Sequence, residues 1–117
     1  SSVVIVGAGK LGRALLDYGG FNEYGLNLLA AFDTAVLKTE FSHTGKPIYS
    51  MSELDAFCSA NAVRIGVIAV PAESAQQVCN RLVQNSIQAI WCFAPCTLKV
   101  PENIPVQYEN MALSLAY

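Results

Sequence analysis

The sequence predicts an α/β fold: a Rossmann-like, doubly wound, mainly parallel sheet between helices, in three α/β/α layers. Two observations predict it. Short apolar runs alternate along the chain with amphipathic stretches at helical spacing, and a glycine-rich loop joins the first run to the first such stretch. Parallel strands need crossover connections, usually helices, so this alternation favours an open parallel sheet. The length of 117 residues fits one domain, residues 1–117.

The first elements surround the glycine-rich loop. Residues 3–6 are an apolar, β-branched run, which is typical of a central strand buried on both faces. Apolar side chains at helical spacing predict a helix over residues 10–18, which Gly19-Gly20 would end. Residues 26–32 form the second apolar run and predict the second strand.

The middle of the chain carries weaker signals. Residues 34–49 are mixed in character, with Gly45 and Pro47 as breakers, and their pattern predicts no particular helix or strand. Ser52 is a candidate N-cap, because its hydroxyl could accept a hydrogen bond from the first turn of a helix over residues 53–59.

The second half repeats the strand and helix pattern. Apolar runs over residues 64–70 and 87–93 predict strands, ended by Pro71 and Pro95. Residues 73–85 have an apolar stripe typical of an amphipathic helix. Two short elements complete the prediction: a strand over residues 106–108, and a closing helix through residues 113–117 that Asn110 could cap.

The composition argues against direct nucleic-acid binding. Hydrophobic residues make up 53% of the chain and charged residues 14%, which suits a folded core rather than disorder. Seven Lys and Arg against nine Asp and Glu give a formal net charge of −2, and the basic residues are scattered. Nucleic-acid-binding domains usually carry a basic surplus, so we expect no strong DNA binding by this segment alone.

Cysteine usage and the chain ends suggest a piece of a cytoplasmic protein. The four cysteines form no C-x-x-C pair and the chain has one histidine, so zinc-site spacing is absent. No signal peptide or long apolar span is visible, and we expect a cytoplasmic protein with no membrane contact. The sequence begins directly before a strand and stops within an apolar run, so we expect a fragment of a longer chain.

The glycine-rich loop is the motif that predicts a ligand. The pattern G-x-G-x-x-G is matched by Gly7-Ala8-Gly9-Lys10-Leu11-Gly12. In dinucleotide-binding folds the first glycine makes the tight turn, the second lets the pyrophosphate approach the backbone, and the third lets the helix pack closely on the sheet. The helix N-terminus offers free N–H groups to the diphosphate.

An acidic residue at the second strand end selects the cofactor. Asp33 can accept hydrogen bonds from the adenosine ribose hydroxyls, and its charge would repel a 2′-phosphate. We therefore expect NAD(H) rather than NADP. Lys10 or Arg13 could add charge near the phosphates, and Lys38 could reach the adenosine, although each is equally well explained as a solvated side chain.

Two further strand ends belong to the same edge of the sheet. Ala69-Val70-Pro71 and Phe93-Ala94-Pro95 each follow an apolar run. Ligands in open parallel sheets bind outside the carboxyl ends of the strands, so these segments could form an apolar wall for the cofactor. Ordinary proline punctuation after a strand explains either segment equally simply.

No set of residues typical of catalysis is visible, so we expect a protein that is not an enzyme. His43 lies in a polar stretch without an evident orienting partner, which fits a solvated loop residue. Cys92 and Cys96 flank the second proline turn; burial as small apolar side chains explains them, and a redox-reactive pair is the alternative. Tyr18 lies near the predicted crevice in a cluster of aromatic residues.

Taken in order, these segments resemble the C-terminal domain of the Rex family of bacterial redox-sensing transcriptional repressors. The resemblance covers nearly the whole chain. It implies a homodimer that binds NADH or NAD⁺ through this domain and DNA through an N-terminal winged-helix domain, and that responds to the NADH/NAD⁺ ratio. By motif match, the resemblance assigns cofactor contacts to Gly7, Gly9, Gly12, Asp33, Lys38, Val70 and Pro71, with Phe93, Ala94 and Tyr18 nearby.

The chain departs from the family pattern in three respects. It has no winged helix, so DNA binding is expected only through a domain outside these residues. We expect the closing helix, which reaches into the partner subunit in the family, to be missing or cut at Tyr117. Residues 109–112 lack an acidic residue after Asn110 that many members carry, which affects the coupling between domains.

Two other functions fit the same fingerprint. One is the cofactor domain of an NAD-dependent dehydrogenase without its substrate domain, and the other is a coenzyme A-binding domain of the succinyl-CoA-synthetase type. Asp33 argues against the second, because its charge suits a ribose without a phosphate ester.

Overall fold

The structure is a computed structural model and describes residues 1–109. Within this range, seven strands form a single sheet flanked by three helices. The strands are β1 (Ser2–Val6), β2 (Asn27–Asp33), β3 (Glu40–Phe41), β4 (Pro47–Ser50), β5 (Ile65–Ile68), β6 (Ala89–Cys92) and β7 (Val106–Tyr108). The helices are α1 (Lys10–Asp17), α2 (Leu54–Asn61) and α3 (Ala72–Gln84), with 3-10 turns over Gly19–Tyr24 and Met51–Glu53.

The strand order is β3-β4-β2-β1-β5-β6-β7. Every neighbouring pair is parallel except β3 with β4. The chain runs outward from β1 to β2 and β4, and then crosses to the other side of β1 for β5, β6 and β7. This is the doubly wound arrangement, and the predicted fold class is confirmed.

Side chains of β1 are buried on both faces of the sheet, as its unbroken apolar run predicts. Val3 and Ile5 pack in the core on the α1 side, with Leu16 of that helix. Val4 and Val6 pack in the core on the opposite side, where α2 and α3 supply the cover. The helices of the two sides are therefore separated by the sheet, which gives the three predicted layers.

The mixed stretch over residues 34–49, where the sequence predicts no strand, contains β3 and most of β4. Pro47 is tolerated as the first residue of a strand, where a missing backbone N–H costs least. Ile48 is fully buried and pairs with Ala31 of β2, so β4 is held by the sheet. The predicted closing helix over residues 113–117 lies outside the described residues.

The predicted cap of the second helix is also wrong. Ser50, rather than Ser52, caps the 3-10 turn that leads into α2: its hydroxyl accepts a hydrogen bond from the Ser52 N–H, with an N···O distance of 3.3 Å. The Ser52 hydroxyl in turn donates to the Ser50 oxygen at 3.0 Å. The helix starts one residue later and ends two residues later than predicted, over Leu54–Asn61.

This correction gives a first prediction. Ser50→Ala should lower the free energy of unfolding by about 1 kcal/mol, because it leaves the N–H at the start of the turn without its side-chain acceptor. Ser52→Ala removes only a donor to the same oxygen and should cost clearly less. Urea unfolding of both variants checks the order, and an equal or larger loss for Ser52→Ala would contradict the assigned cap.

Candidate functional site

A crevice opens at the carboxyl edge of the sheet, where the winding reverses on either side of β1. Gly7, directly after β1, donates its N–H to the Phe32 carbonyl of β2 at 2.7 Å. On the other side, the Ala69 N–H donates to the Val6 carbonyl at 2.8 Å. The ends of β1, β2 and β5 are thus fixed relative to one another, in the position where open α/β sheets bind ligands.

Two of the three motif glycines are required by packing. Gly7 has a φ of +113°, and a Cβ atom there would lie 2.3 Å from the Ala69 carbonyl oxygen. A Cβ atom at Gly12 would lie 1.8 Å from the Gly7 carbonyl oxygen. Both contacts are with backbone, which cannot turn aside. These glycines allow α1 and the strand ends to approach each other closely.

Gly9 differs from the other two glycines, because no atom of the chain lies where its side chain would be. A Cβ atom there would meet nothing within 4 Å, and the residue lines the crevice. Gly9 is also the N-cap residue of α1 and makes no side-chain cap. The first N–H groups of α1 therefore have no side-chain acceptor and face an open space, which is the arrangement that binds anions.

Asp33 ties the glycine loop to the end of β2. One of its carboxylate oxygens accepts a hydrogen bond from the Ala8 N–H at 2.7 Å, and the other accepts one from the Ala35 N–H at 2.8 Å. The side chain is partly buried and lines the crevice. It is therefore held in a fixed position beside the loop, with oxygen lone pairs left for a further donor.

The crevice has a volume of about 440 Å³, a size typical of small-ligand sites. Its lining includes six of the residues predicted from the sequence as cofactor contacts: Gly7, Gly9, Asp33, Ala69, Val70 and Pro71. Residues not predicted from the sequence complete the lining: Val6, Thr34, Met51, Ser74, Gln77, Val78 and Arg81. The last four lie at i, i+3, i+4 and i+7 of α3, so one face of that helix forms a wall.

Arg81 braces the far side of the crevice. Its Nε lies 3.3 Å from Asp55 Oδ1 of α2, and its Nη2 donates to the Met51 carbonyl at 2.9 Å. Asn85 donates to the same Asp55 oxygen at 2.9 Å. Hydrogen bonds from Asn85 and the charge of Arg81 lower the pKa of the Asp55 carboxyl. The contacts hold Met51 and α3 at a fixed distance across the crevice.

Several predicted contact residues lie outside the lining of this crevice. Ala8 and Gly12 are buried under the loop, Leu11 is partly buried, and Lys10 and Lys38 are exposed. Lys10 borders a separate surface depression with Arg13, Asp17 and His43. Arg13 itself is bound: its Nε donates to the Ala8 carbonyl at 2.8 Å and its Nη2 lies 2.9 Å from Glu40.

Phe93 and Tyr18 belong to an aromatic group on the α1 side of the sheet. Adjacent rings meet at centroid distances of 5.0 Å for Tyr18 with Phe21, 5.4 Å for Phe21 with Trp91 and 5.0 Å for Trp91 with Phe93. The residue after Phe93, Ala94, is buried in the core on the opposite side. The strand end is thus where the sequence predicts it, while the Phe93 ring lies away from the crevice.

The only histidine of the sequence lies in an exposed loop. His43 is exposed, and its backbone N–H donates to Asp17 at 3.1 Å. Thr44 also donates to the Asp17 carboxylate through its hydroxyl and its N–H. Burial acts to raise the pKa of Asp17, but hydrogen bonds from Ser42, Thr44 and the His43 backbone outweigh it and lower the pKa.

Other classes of site find no support in residues 1–109. No group of three or more His, Cys, Asp or Glu side chains is placed there to hold a metal ion. None of the helices in that range is long and apolar enough to cross a membrane. The crevice at the carboxyl edge of the sheet therefore combines free backbone donors with one fixed carboxylate.

Comparison with known proteins identifies the family. The model of the CoA binding domain family matches residues 1–96. The redox-sensing transcriptional repressor Rex of Streptomyces avermitilis is 42% identical over 113 residues, which are 97% of this chain and 45% of that protein. The chain spans about half the length of the curated relatives it matches.

Solved structures agree with this match. A Rex-family repressor, RSP, superposes in complex with β-NADH with a TM-score of 0.89 and 31% identity, over 98% of this chain and 56% of that one. Its complex with β-NAD⁺ and operator DNA gives a TM-score of 0.90 and 31% identity, over 98% and 53%. The chain therefore belongs to the CoA binding domain family, and within it to the Rossmann-like domains found in Rex repressors.

Proposed function

We propose that this chain is the NAD(H)-binding, redox-sensing and dimerising domain of a Rex-like transcriptional repressor that responds to the NADH/NAD⁺ ratio. The observation that carries the proposal is the open Gly9 backbone beside the fixed Asp33 carboxylate at the reversal of the sheet. The structures of RSP with β-NADH and with β-NAD⁺ and operator DNA support it.

In this proposal the pyrophosphate rests on the N–H groups at the start of α1, near Gly9. The adenosine ribose donates its hydroxyls to Asp33, and the adenine enters the crevice between Met51 and Val78. Val70 and Pro71 continue the wall toward the nicotinamide. All of the predicted contacts stay predictions; those that do not line the crevice are Ala8, Lys10, Leu11, Gly12, Tyr18, Lys38, Phe93 and Ala94.

Redox sensing follows from the charge of the nicotinamide ring. The oxidised ring is a cation and the reduced ring is neutral, and burying an unpaired cation among apolar groups is costly. Val70 and Pro71, the part of the crevice wall placed toward the ring, carry no carboxylate. We therefore infer that NADH binds more tightly than NAD⁺. A repressor can shift between two states only through such a difference in affinity.

The full protein in this proposal is a cytoplasmic homodimer that binds DNA through a winged-helix domain outside these residues. The net charge of −2 supports assigning DNA binding to another domain. We also propose that the domain is not an enzyme. A dehydrogenase is the alternative in which a substrate domain accompanies the crevice, and assaying hydride transfer from NADH to a panel of carbonyl substrates separates the two.

Calorimetric titration of the chain with NADH and with NAD⁺ tests the proposal. We expect NADH to bind about 100-fold more tightly, a difference of roughly 2.7 kcal/mol in binding free energy. NADPH, with its 2′-phosphate facing Asp33, should bind more weakly than NADH. Equal affinity for NADH and NAD⁺, or no heat from either, would overturn the proposed sensing role.

The name of the matching family makes coenzyme A the second candidate ligand. Coenzyme A shares the adenosine and the pyrophosphate with NADH but carries a phosphate on the ribose. Asp33 would repel that phosphate, so we expect NADH to be preferred. Competition between NADH and coenzyme A, followed by NADH fluorescence, decides between them: displacement of NADH by an equal concentration of coenzyme A would favour the second ligand.

A further inference from the structure

The turn after β6 brings two of the four cysteines together. Cys92 is the last residue of β6, and Cys96 follows four residues later. The Cys92 thiol donates to the Ala94 carbonyl at 3.6 Å, and the Cys96 N–H donates to the same oxygen at 2.9 Å. The Cys92 side chain and the Cys96 backbone therefore share one carbonyl, and the chain bends over residues 94–96 between β6 and the following segment.

The two thiols differ in access. Cys92 is fully buried in the core on the α2 and α3 side of the sheet. Cys96 is partly buried against the same core and lines a surface depression of about 360 Å³, together with Thr97 and Tyr108. A small oxidant in solvent therefore reaches Cys96 before it reaches Cys92.

The buried thiols also have raised pKa values, so they stay protonated over a wider pH range. Burial raises the pKa of the Cys92 thiol; a backbone hydrogen bond with Ala94 opposes this rise, and the neighbouring Cys96 thiol adds to it. Burial likewise raises the pKa of Cys79, the third cysteine of this core. Thiolates are the nucleophiles that react with peroxides, and a raised pKa lowers the thiolate fraction. Cys79 and Cys92 should therefore react with peroxide more slowly than an ordinary thiol.

We propose that Cys96 and Cys92 form a peroxide-sensitive thiol pair that closes to an intrachain disulfide. The Cys96 sulfur attacks a peroxide oxygen, the O–O bond breaks, and water leaves with the thiol proton, so that Cys96 becomes a sulfenic acid. The Cys92 sulfur then attacks the Cys96 sulfur, the S–S bond forms, and a second water leaves with the Cys92 proton. In total, two thiols are oxidised by two electrons and one hydrogen peroxide is reduced to two waters.

Trypsin allows a direct test, because it separates the proposed pair from each of the other two cysteines. Cys92 and Cys96 fall together in the peptide 82–99, Cys79 falls in 65–81, and Cys58 falls in 39–64. The reduced, folded chain is exposed to hydrogen peroxide, its free thiols are alkylated, and its peptides are weighed. Peptide 82–99 should lose two hydrogen atoms and resist alkylation until a reductant is added, while Cys58, also buried, stays alkylatable.

The Cys96→Ser variant is the matched control, since it changes the more exposed member of the pair. In it, Cys92 should remain reduced at the peroxide concentration that oxidises the parent chain. In the untreated parent, Cys96 should alkylate at least about tenfold faster than Cys58. The proposal is overturned if Cys96 goes to sulfonic acid without a disulfide, if peptide 65–81 becomes linked to 82–99, or if Cys58 oxidises as fast as Cys96.

Discussion

Replacing Gly9 with Ala is expected to weaken NADH binding by about 100-fold or more, a loss of roughly 2.7 kcal/mol, while the fold stays intact. A Cβ atom at this position meets no atom of the chain within 4 Å but enters the space where we place the pyrophosphate. Its φ of −78° suits alanine. Lower entropy of the unfolded chain favours the variant and loss of a good N-cap residue disfavours it, so the net change in stability should stay within about 1 kcal/mol.

Gly12→Ala, by contrast, should mainly lower the stability of the fold. Its Cβ would lie 1.8 Å from the Gly7 carbonyl oxygen, so α1 must move away from the sheet. We expect a loss of about 3 kcal/mol or more in the free energy of unfolding, since overpacking against backbone has no side chain to absorb it. Gly19→Ala is the matched control: it also meets nothing within 4 Å but lies outside the crevice.

Urea unfolding and calorimetry on the three variants separate the roles. Gly19→Ala should keep both stability and NADH binding, Gly9→Ala should lose only binding, and Gly12→Ala should lose stability first. Wild-type NADH affinity in Gly9→Ala would contradict the placement of the pyrophosphate. An unchanged midpoint in Gly12→Ala would contradict the packing of α1.

The glycine loop could be predicted from the sequence because its proposed contacts are made by the backbone, which requires glycine at fixed positions. Gly7, Gly9 and Gly12 are read directly from their spacing, and the buried runs on either side fix their place in the fold. Even so, the motif alone treats the three glycines alike. Only the structure separates the two that are crowded by carbonyl oxygens from the one that faces open space.

The wall formed by α3 could not be predicted in the same way. The periodicity of residues 73–85 identifies a buried stripe, and Ala75, Cys79 and Leu82 do lie in the core. Which flank of the helix borders the crevice depends on how α3 crosses the sheet, and that is set by contacts far apart in sequence, such as Arg81 with Asp55. One signal in the sequence could have indicated this wall. The helix begins directly after Val70 and Pro71, which were predicted to line the crevice, so its first turns must lie close to the ligand.

The missed strands have a similar cause. Strand β3 has two residues, both exposed, so no apolar pattern marks it. It exists because it pairs with β4, and β4 exists because Ile48 fills a place beside β2. For Phe93 the strand end was predicted, but a side chain's face alternates with every residue of a strand. The structure has the ring beside Trp91, on the α1 side.

Asp33→Asn is expected to reduce NADH affinity by about 10- to 100-fold, because hydrogen bonds to a charged group contribute about 1.5–3 kcal/mol and the variant replaces the carboxylate by an amide. One amide oxygen can still accept a single bond, but its NH₂ group then faces an N–H donor of the loop, from Ala8 or Ala35. We therefore also expect a lower free energy of unfolding. Glu40→Gln is the control, since it removes the same charge from an exposed ion pair with Arg13 and should change little.

Loss of affinity in Asp33→Asn could arise from a loosened glycine loop instead of a lost ribose contact, and NADPH distinguishes these causes. A loosened loop weakens every dinucleotide alike, because all of them place a pyrophosphate there. A lost ribose contact weakens NADH, while removal of the negative charge relieves the repulsion of the 2′-phosphate. The ratio of NADH to NADPH affinity should therefore fall by at least about tenfold in Asp33→Asn and stay unchanged in Glu40→Gln. A parallel loss for both cofactors would assign Asp33 to holding the loop through Ala8 and remove it from cofactor selection.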